Sequence, residues 1–158
     1  MTPPINDLLR DVTKIDQEDL LSAWRWRLPE PMDIVMISNL GDLFLQDSAG
    51  SIYWLQTDGG NLEKVAGSAD EFMQLFNDEE VLDNWLLPTL IEKFLAIGMT
   101  LKDNEVYSPK KMAVLGGSYD VDNFAPTDMS VHFQITGVIS EQIKDLPDGT
   151  PINIKVVP

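Results

Sequence analysis

The sequence of 158 residues contains no cysteine, which excludes disulfide bonds, thiolate zinc sites and cysteine nucleophiles. Its single histidine, His132, offers too few nitrogen ligands for a histidine-based zinc site. No window approaches the roughly 20 apolar residues that a transmembrane helix needs. The opening MTPPINDLLRDV lacks the basic and apolar regions of a secretion signal. We therefore expect a cytoplasmic protein that uses no metal or other cofactor.

Basic residues are also scarce, with 11 lysines and arginines against 26 acids and a formal net charge of −15. Such a surface repels nucleic acid and anionic membranes and attracts a basic protein or a cation. Simple solubility is the alternative explanation. The densest acidic run comprises Asp78, Glu79, Glu80 and Asp83. Acids at the start of a helix are also favoured by the helix dipole. The run can therefore be explained by helix stability as well as by docking to a partner.

The apolar pattern predicts an α+β fold, an antiparallel β-meander packed against several helices in a single domain. Residues 5–28 have helical spacing, and Asp16 is a suitable cap for the second part of that segment. Residues 33–66 contain short apolar runs separated by turn residues, as in a meander. Residues 68–98 predict helices that begin at Ser68 and are interrupted at a proline. We expect an N-terminal helical segment at 1–30, packed on the domain, and an α+β domain at 31–158.

The second half of the chain is less regular. Residues 99–126 predict irregular structure, with a short extended piece near Met112 to Leu115. Residues 127–146 fit both a strand and a helix in their first part, and a cap at Thr127 or Asp128 favours the helix. The alternation of Ile152, Ile154 and Val156 predicts a last strand.

No residue pattern predicts a catalytic site. We expect His132 to be a core histidine or one that supports another group. Asp120, Asp122 and Asn123 resemble part of a calcium loop, but the glycine and the distal glutamate of that pattern are missing. A carboxylate-based hydrolase remains an alternative, and it predicts two acids that converge in a cleft with shifted pKa values. The aromatic and basic run at 24–27 suggests nucleic-acid binding or, more simply, a helix end packed on the sheet.

Three pieces of the chain together resemble a known family. They are WRWRLP at 24–29, LGDLF at 40–44 with GSIY at 50–53, and a long piece from LGGSY at 115–119 through Asp122, Asn123, Asp128, Val131, His132 and Gly137 to QIKDLPDG at 142–149. This pattern, spread over about residues 16–150, is similar to the bacterial domain named after the type VI secretion immunity protein Tdi. The glycines, turn formers and apolar residues of the pattern have the character of fold determinants.

The resemblance implies a non-enzymatic immunity protein that binds a cognate toxin, a DNase in the named case, and blocks it. A nuclease must hold phosphates, so its cleft is usually basic, and an acidic protein would be steered to it. The predicted partner-binding residues are the acidic run 78–80 with Asp83, or the pair Asp120 and Asp122. The alternative is a small-molecule or peptide-binding module with a pocket between the sheet and the helices.

Overall fold

Five short strands follow one another in an antiparallel meander, with sheet order β1-β2-β3-β4-β5. The structure is a computed structural model, and it describes residues 4–152. The meander comprises β1 Leu9–Arg10, β2 Asp33–Ser38, β3 Leu43–Gln46, β4 Ile52–Gln56 and β5 Asn61–Ala66. A second, two-stranded sheet pairs β6 Glu105–Pro109 with β7 Phe124–Asp128. The predicted α+β class and the meander over residues 33–66 are confirmed.

The helices begin where the sequence places capping side chains. They are α1 Gln17–Leu21, α2 Ala69–Leu75, α3 Glu79–Leu86, α4 Pro88–Ala96 and α5 Met129–Ile143. The residues Asp16, Ser68, Asp78 and Asp128 cap α1, α2, α3 and α5, each accepting a hydrogen bond from a backbone N–H of the first turn. None of the helices within residues 4–152 combines the length and apolarity that crossing a membrane would require.

The meander is buried on both faces. In β3, Leu43 and Leu45 point to one face and Phe44 to the other, and all three are fully buried. Phe44 packs against the aromatic side chains of Trp54 and Trp85, at ring-centroid distances of 6.2 and 5.1 Å. The opposite face of β3 packs in a second core with residues of α1 and α5. Burial of each such side chain contributes roughly 2–3 kcal/mol to stability, so this central strand holds the two cores together.

The helix predicted over residues 5–28 is wrong for its first part. Ile5–Leu8 form a single 3-10 turn, and β1 then pairs with β2, with Leu9 opposite Ser38. The side chain of Asp11 accepts a hydrogen bond from the backbone N–H of Thr13, which favours a turn over a helix. The edge of β2 gains a strand partner that apolar spacing alone did not indicate. The boundary expected between residues 30 and 31 stays a prediction.

The prediction for residues 99–126 is wrong in two respects. It missed β6 and β7, which lie 14 residues apart, pair with each other and bury Val106, Tyr107 and Phe124 in the cores. The piece expected to be extended, near Met112 to Leu115, instead contains the 3-10 turn Ala113–Leu115. The helix favoured for residues 127–146 is confirmed as α5, which begins at Met129 directly after β7 and is capped by Asp128. The alternation of Val131, Phe133 and Ile135 falls inside this helix and does not mark a strand.

The predicted last strand lies mostly outside the described residues, because Ile154 and Val156 are not among them. Within the described part, Pro151 and Ile152 do not form a strand.

Candidate functional site

A cleft of about 560 Å³ opens beside the end of the meander. Its walls come from the region of β3 and β4, from α3 and α4, and from the loop before β7. We call it the acidic cleft, and define it by six lining residues: Asp42, Trp54, Asp58, Asp83, Trp85 and Tyr119. Clefts of this size, with apolar walls and a few converging polar groups, are typical of binding sites.

Asp42 sits at the start of β3 and is held by β4. Its Oδ2 accepts a hydrogen bond from Trp54 Nε1 at 3.2 Å, and its Oδ1 accepts one from the Thr57 backbone N–H at 3.1 Å. Burial, and then the negative charge of Asp58, raise the pKa of Asp42 to about 7. The carboxyl group is therefore close to half-protonated at neutral pH unless a cation joins it.

Asp58 follows β4 and faces the loop before β7. The Tyr119 hydroxyl donates a hydrogen bond to its carboxylate, and the Val114 backbone N–H donates to its carbonyl oxygen at 3.2 Å. Burial raises the pKa of the Asp58 side chain. Two contacts thus join the loop that carries Tyr119 to the end of β4.

The loop that carries Tyr119 is fixed by close backbone packing. A Cβ atom on Gly117 would lie 1.8 Å from the carbonyl oxygen of Lys111, so only glycine fits there. The Asn123 side chain donates to the carbonyl oxygens of Lys111 and Ser118 at 2.9 and 2.7 Å. Asn123, one of the residues that resembled a calcium loop, is therefore used to close this loop.

The helical wall of the cleft turns sharply between α3 and α4. Leu87 joins the two helices in a left-handed conformation, with φ of 47°, and Pro88 begins α4. This turn places Asp83 of α3 and Lys93 of α4 on the same cleft. Lys93 is the one cationic side chain among the cleft-lining residues of the described chain, set against three aspartates.

The structure places the predicted partner-binding residues around this cleft. Asp83 lines it, and the exposed run 78–80 lies at the start of the same helix, where Asp78 caps α3 by accepting from the Glu80 N–H at 2.9 Å. Asp120 and Asp122 are exposed on the loop that carries Tyr119. The two predicted groups therefore lie on two elements that border the cleft, and Asp83 is the member that lines it.

Sequence reasoning missed Asp42 and Asp58. Asp58 precedes two glycines and was read only as a turn former, which it also is. Asp42 lies between Gly41 and a strand, and its neighbour Trp54 is 12 residues away. For Asp42 the available signal was an acid directly before the apolar residues Leu43 to Leu45, and Asp58 carried no comparable signal.

His132 is a core histidine, as predicted, and it is 1% exposed. Its Nε2 lies 3.0 Å from the Gly41 carbonyl oxygen, which can only accept, so Nε2 carries the hydrogen. Nδ1 then accepts from the Ser108 hydroxyl at 2.7 Å. Burial lowers the pKa of His132 to about 4, so the ring is neutral. Ser108 does not line the acidic cleft, so this pair serves the fold.

Asp42 and Asp58 have features that the hydrolase alternative predicted, since both line one cleft and both have raised pKa values. Both oxygens of Asp42, however, already accept hydrogen bonds from Trp54 and Thr57. Within residues 4–152, no three His, Asp or Glu side chains lie close enough together to hold a metal ion. The arrangement suits recognition of positive charge.

Comparison with known proteins gives one family. Residues 66–140 match the family described as T6SS immunity protein Tdi1, C-terminal. No curated protein matches the chain. The matched segment supplies the helical wall, the Tyr119 loop and His132, whereas Asp42 and Asp58 precede it. The resemblance to the type VI secretion immunity family is thereby confirmed over residues 66–140, the segment that corresponds to the Tdi1 C-terminal domain.

Proposed function

We propose that this chain is a cytoplasmic immunity-type protein that binds a cognate, basic, nuclease-like toxin and neutralises it without catalysing a reaction. The observation that carries the proposal is the match of residues 66–140 to an immunity family. That segment includes Asp78, Asp83, Asp120 and Asp122, so the predicted docking residues lie within it.

Charge supports a basic partner. The net charge of −15 gives the chain a long-range field that accelerates encounter with a cationic surface. The same field opposes binding to nucleic acid or to an anionic membrane. A toxin whose active cleft holds phosphates would therefore expose a cationic surface, and this chain would be attracted to it.

The docking face that we propose surrounds the acidic cleft. Its members are the exposed acids Asp78, Glu79, Glu80, Asp83, Asp120 and Asp122. Placed on two elements that border one cleft, they would contact one partner together, and partner binding would cover the cleft itself.

Co-expression with a candidate toxin tests the proposal, and the products of genes next to this one are the first candidates. We expect the chain to restore growth of cells that produce the toxin. With purified proteins, nuclease activity should fall linearly with added chain and vanish at equivalence, because a binding inhibitor acts stoichiometrically. Loss of toxin activity at far below equivalence would indicate catalysis, and no protection at any ratio would contradict the proposal.

A matched charge reversal locates the face. The triple variant Glu79→Lys, Glu80→Lys, Asp83→Lys should lower protection against the toxin. The control is a second triple variant at the far end of α5, which changes the net charge by the same amount: Glu141→Lys, Asp145→Lys, Asp148→Lys. All six residues are exposed. Asp78 stays unchanged in this test because it caps α3.

The cleft also favours a second candidate, a small-molecule or peptide-binding module. Its volume of about 560 Å³ lies within the range of ligand pockets. This candidate predicts thermal stabilisation by a small ligand and no protection against any candidate toxin.

A further inference from the structure

We propose that the acidic cleft is a receptor for one arginine or lysine side chain that the partner toxin inserts between its walls. This inference rests on the proposed function and specifies its central contact. It concerns Asp42, Asp58 and Asp83 together with Trp54, Trp85 and Tyr119.

The charge of the cleft is unbalanced. Three aspartates line it. Against them stands Lys93 on the helical wall, the one lysine or arginine among the cleft-lining residues of the described chain. Burial, with mutual repulsion at Asp42, accounts for the raised pKa values of Asp42 and Asp58, and no lysine or arginine among residues 4–152 offsets them. A guest cation would stabilise the ionised form of both carboxylates, and the two carboxylates would in turn bind the cation favourably.

The walls are suited to an organic cation. Trp54 and Trp85 line the cleft with rings 6.3 Å apart at an interplanar angle of 51°. Each is 6% exposed and presents only an edge to the cleft, whereas Tyr119 beside them is 48% exposed and offers the accessible aromatic face. Aromatic faces attract guanidinium and ammonium groups, and the apolar stem of an arginine or lysine packs on such rings.

The site is also organised before any guest arrives. Trp54 Nε1 orients Asp42, and the Tyr119 hydroxyl orients Asp58. Gly117 and Asn123 fix the loop that carries Tyr119. Groups held in place in the free protein lose little conformational entropy on binding.

The first arm of the test uses the toxin. Asp58→Asn keeps the shape of the side chain and removes its charge, and it should weaken binding of the toxin roughly tenfold or more. Asp145→Asn, an exposed acid at the end of α5, is the matched control and should bind as the unmodified protein does. Tyr119→Phe removes only the hydroxyl that orients Asp58 and should show a smaller loss of the same kind. It replaces Asp58→Asn if that variant fails to fold.

The second arm uses a free probe, N-acetyl-arginine amide, with N-acetyl-citrulline amide as its uncharged isostere. Shifts of the Trp54 and Trp85 indole N–H signals in NMR spectra report binding. We expect saturable shifts with the arginine probe, with a dissociation constant on the order of 1 mM, and none with citrulline. Asp58→Asn should weaken the arginine probe and leave citrulline unchanged.

The outcomes separate the two claims. Tight toxin binding that Asp58→Asn and Tyr119→Phe leave unchanged would overturn the inference while the proposed function stands. Equal shifts from arginine and citrulline would also overturn it. Saturable arginine binding by a chain that neither binds nor neutralises the toxin would contradict the proposed function, and with it the claim that a toxin supplies the cation.

Discussion

The Nε2 atom of His132 lies 3.0 Å from the carbonyl oxygen of Gly41, and this hydrogen bond joins α5 to the turn before β3. The two residues are 91 positions apart in the chain. A Cβ atom on Gly41 would lie 2.2 Å from that nitrogen, and the φ of Gly41 is 82°. We therefore expect Gly41→Ala to lower the free energy of unfolding by roughly 2–5 kcal/mol, from overpacking and backbone strain together. Urea unfolding followed by circular dichroism measures the change.

Gly59→Ala is the matched control for this prediction. A Cβ atom on Gly59 would meet no heavy atom within 4 Å. Its substitution should change the free energy of unfolding by no more than about 0.5 kcal/mol. Equal losses of unfolding free energy from Gly41→Ala and Gly59→Ala would show that the close contact between His132 and Gly41 does not contribute to stability.

The pH dependence of stability should reveal two opposing groups. The pKa of His132 is lowered from 6.5 to about 4, so its contribution is present above pH 6.5 and is lost as the pH falls toward 4. The pKa of Asp42 is raised from 3.8 to about 7, so its contribution is present below pH 3.8 and is lost as the pH rises toward 7. Each amounts to about 3–4 kcal/mol at most.

Asp42→Asn removes one of the two slopes. As the pH falls from 6.5 to 4, the variant should lose stability more steeply than the unmodified protein, because the opposing contribution of Asp42 is gone while that of His132 remains. Urea unfolding at several pH values gives the difference. Parallel profiles would mean that Asp42 ionises near its ordinary pKa. Since Trp54 contacts Asp42, tryptophan fluorescence should also follow the ionisation.

Asp78 has a structural role that must be separated from docking. Its side chain accepts from the Glu80 N–H at 2.9 Å and caps α3. Asp78→Ala should lower the free energy of unfolding by about 1 kcal/mol, whereas Asp78→Asn should keep most of the cap and remove the charge. If Asp78→Asn unfolds like the unmodified protein but binds the toxin more weakly, the lost charge and not the cap accounts for the weaker binding. Equal unfolding of the Ala and Asn variants would contradict the capping role.

Local chemistry made much of the fold predictable from the sequence. Ser68 and Asp128 cap the helices that follow them, and short apolar runs separated by turn residues produce the meander. The β6–β7 pair was missed because each strand is stabilised by a partner distant in the chain, and pairing of that kind leaves no periodic signal. The same holds for β1, whose partner β2 begins more than 20 residues later.

The candidate site was predicted only at its rim. Exposed acids such as Asp83 stand out in a charge pattern, because their signal is local. Asp42 and Asp58 become notable only when the fold brings Trp54 and Tyr119 to them. Their raised pKa values arise from burial, which a sequence does not show residue by residue.

The rate of association with the purified toxin, measured by stopped flow across about 0.05–0.5 M NaCl, shows whether the acidic face steers the toxin to this chain. We expect a fast rate at low salt that falls steeply as salt rises. We also expect a slower rate with a flatter slope for Glu79→Lys, Glu80→Lys, Asp83→Lys, but not for the reversals at 141, 145 and 148. A rate that is indifferent to salt, and equal in the two triple variants, would contradict binding through the acidic face.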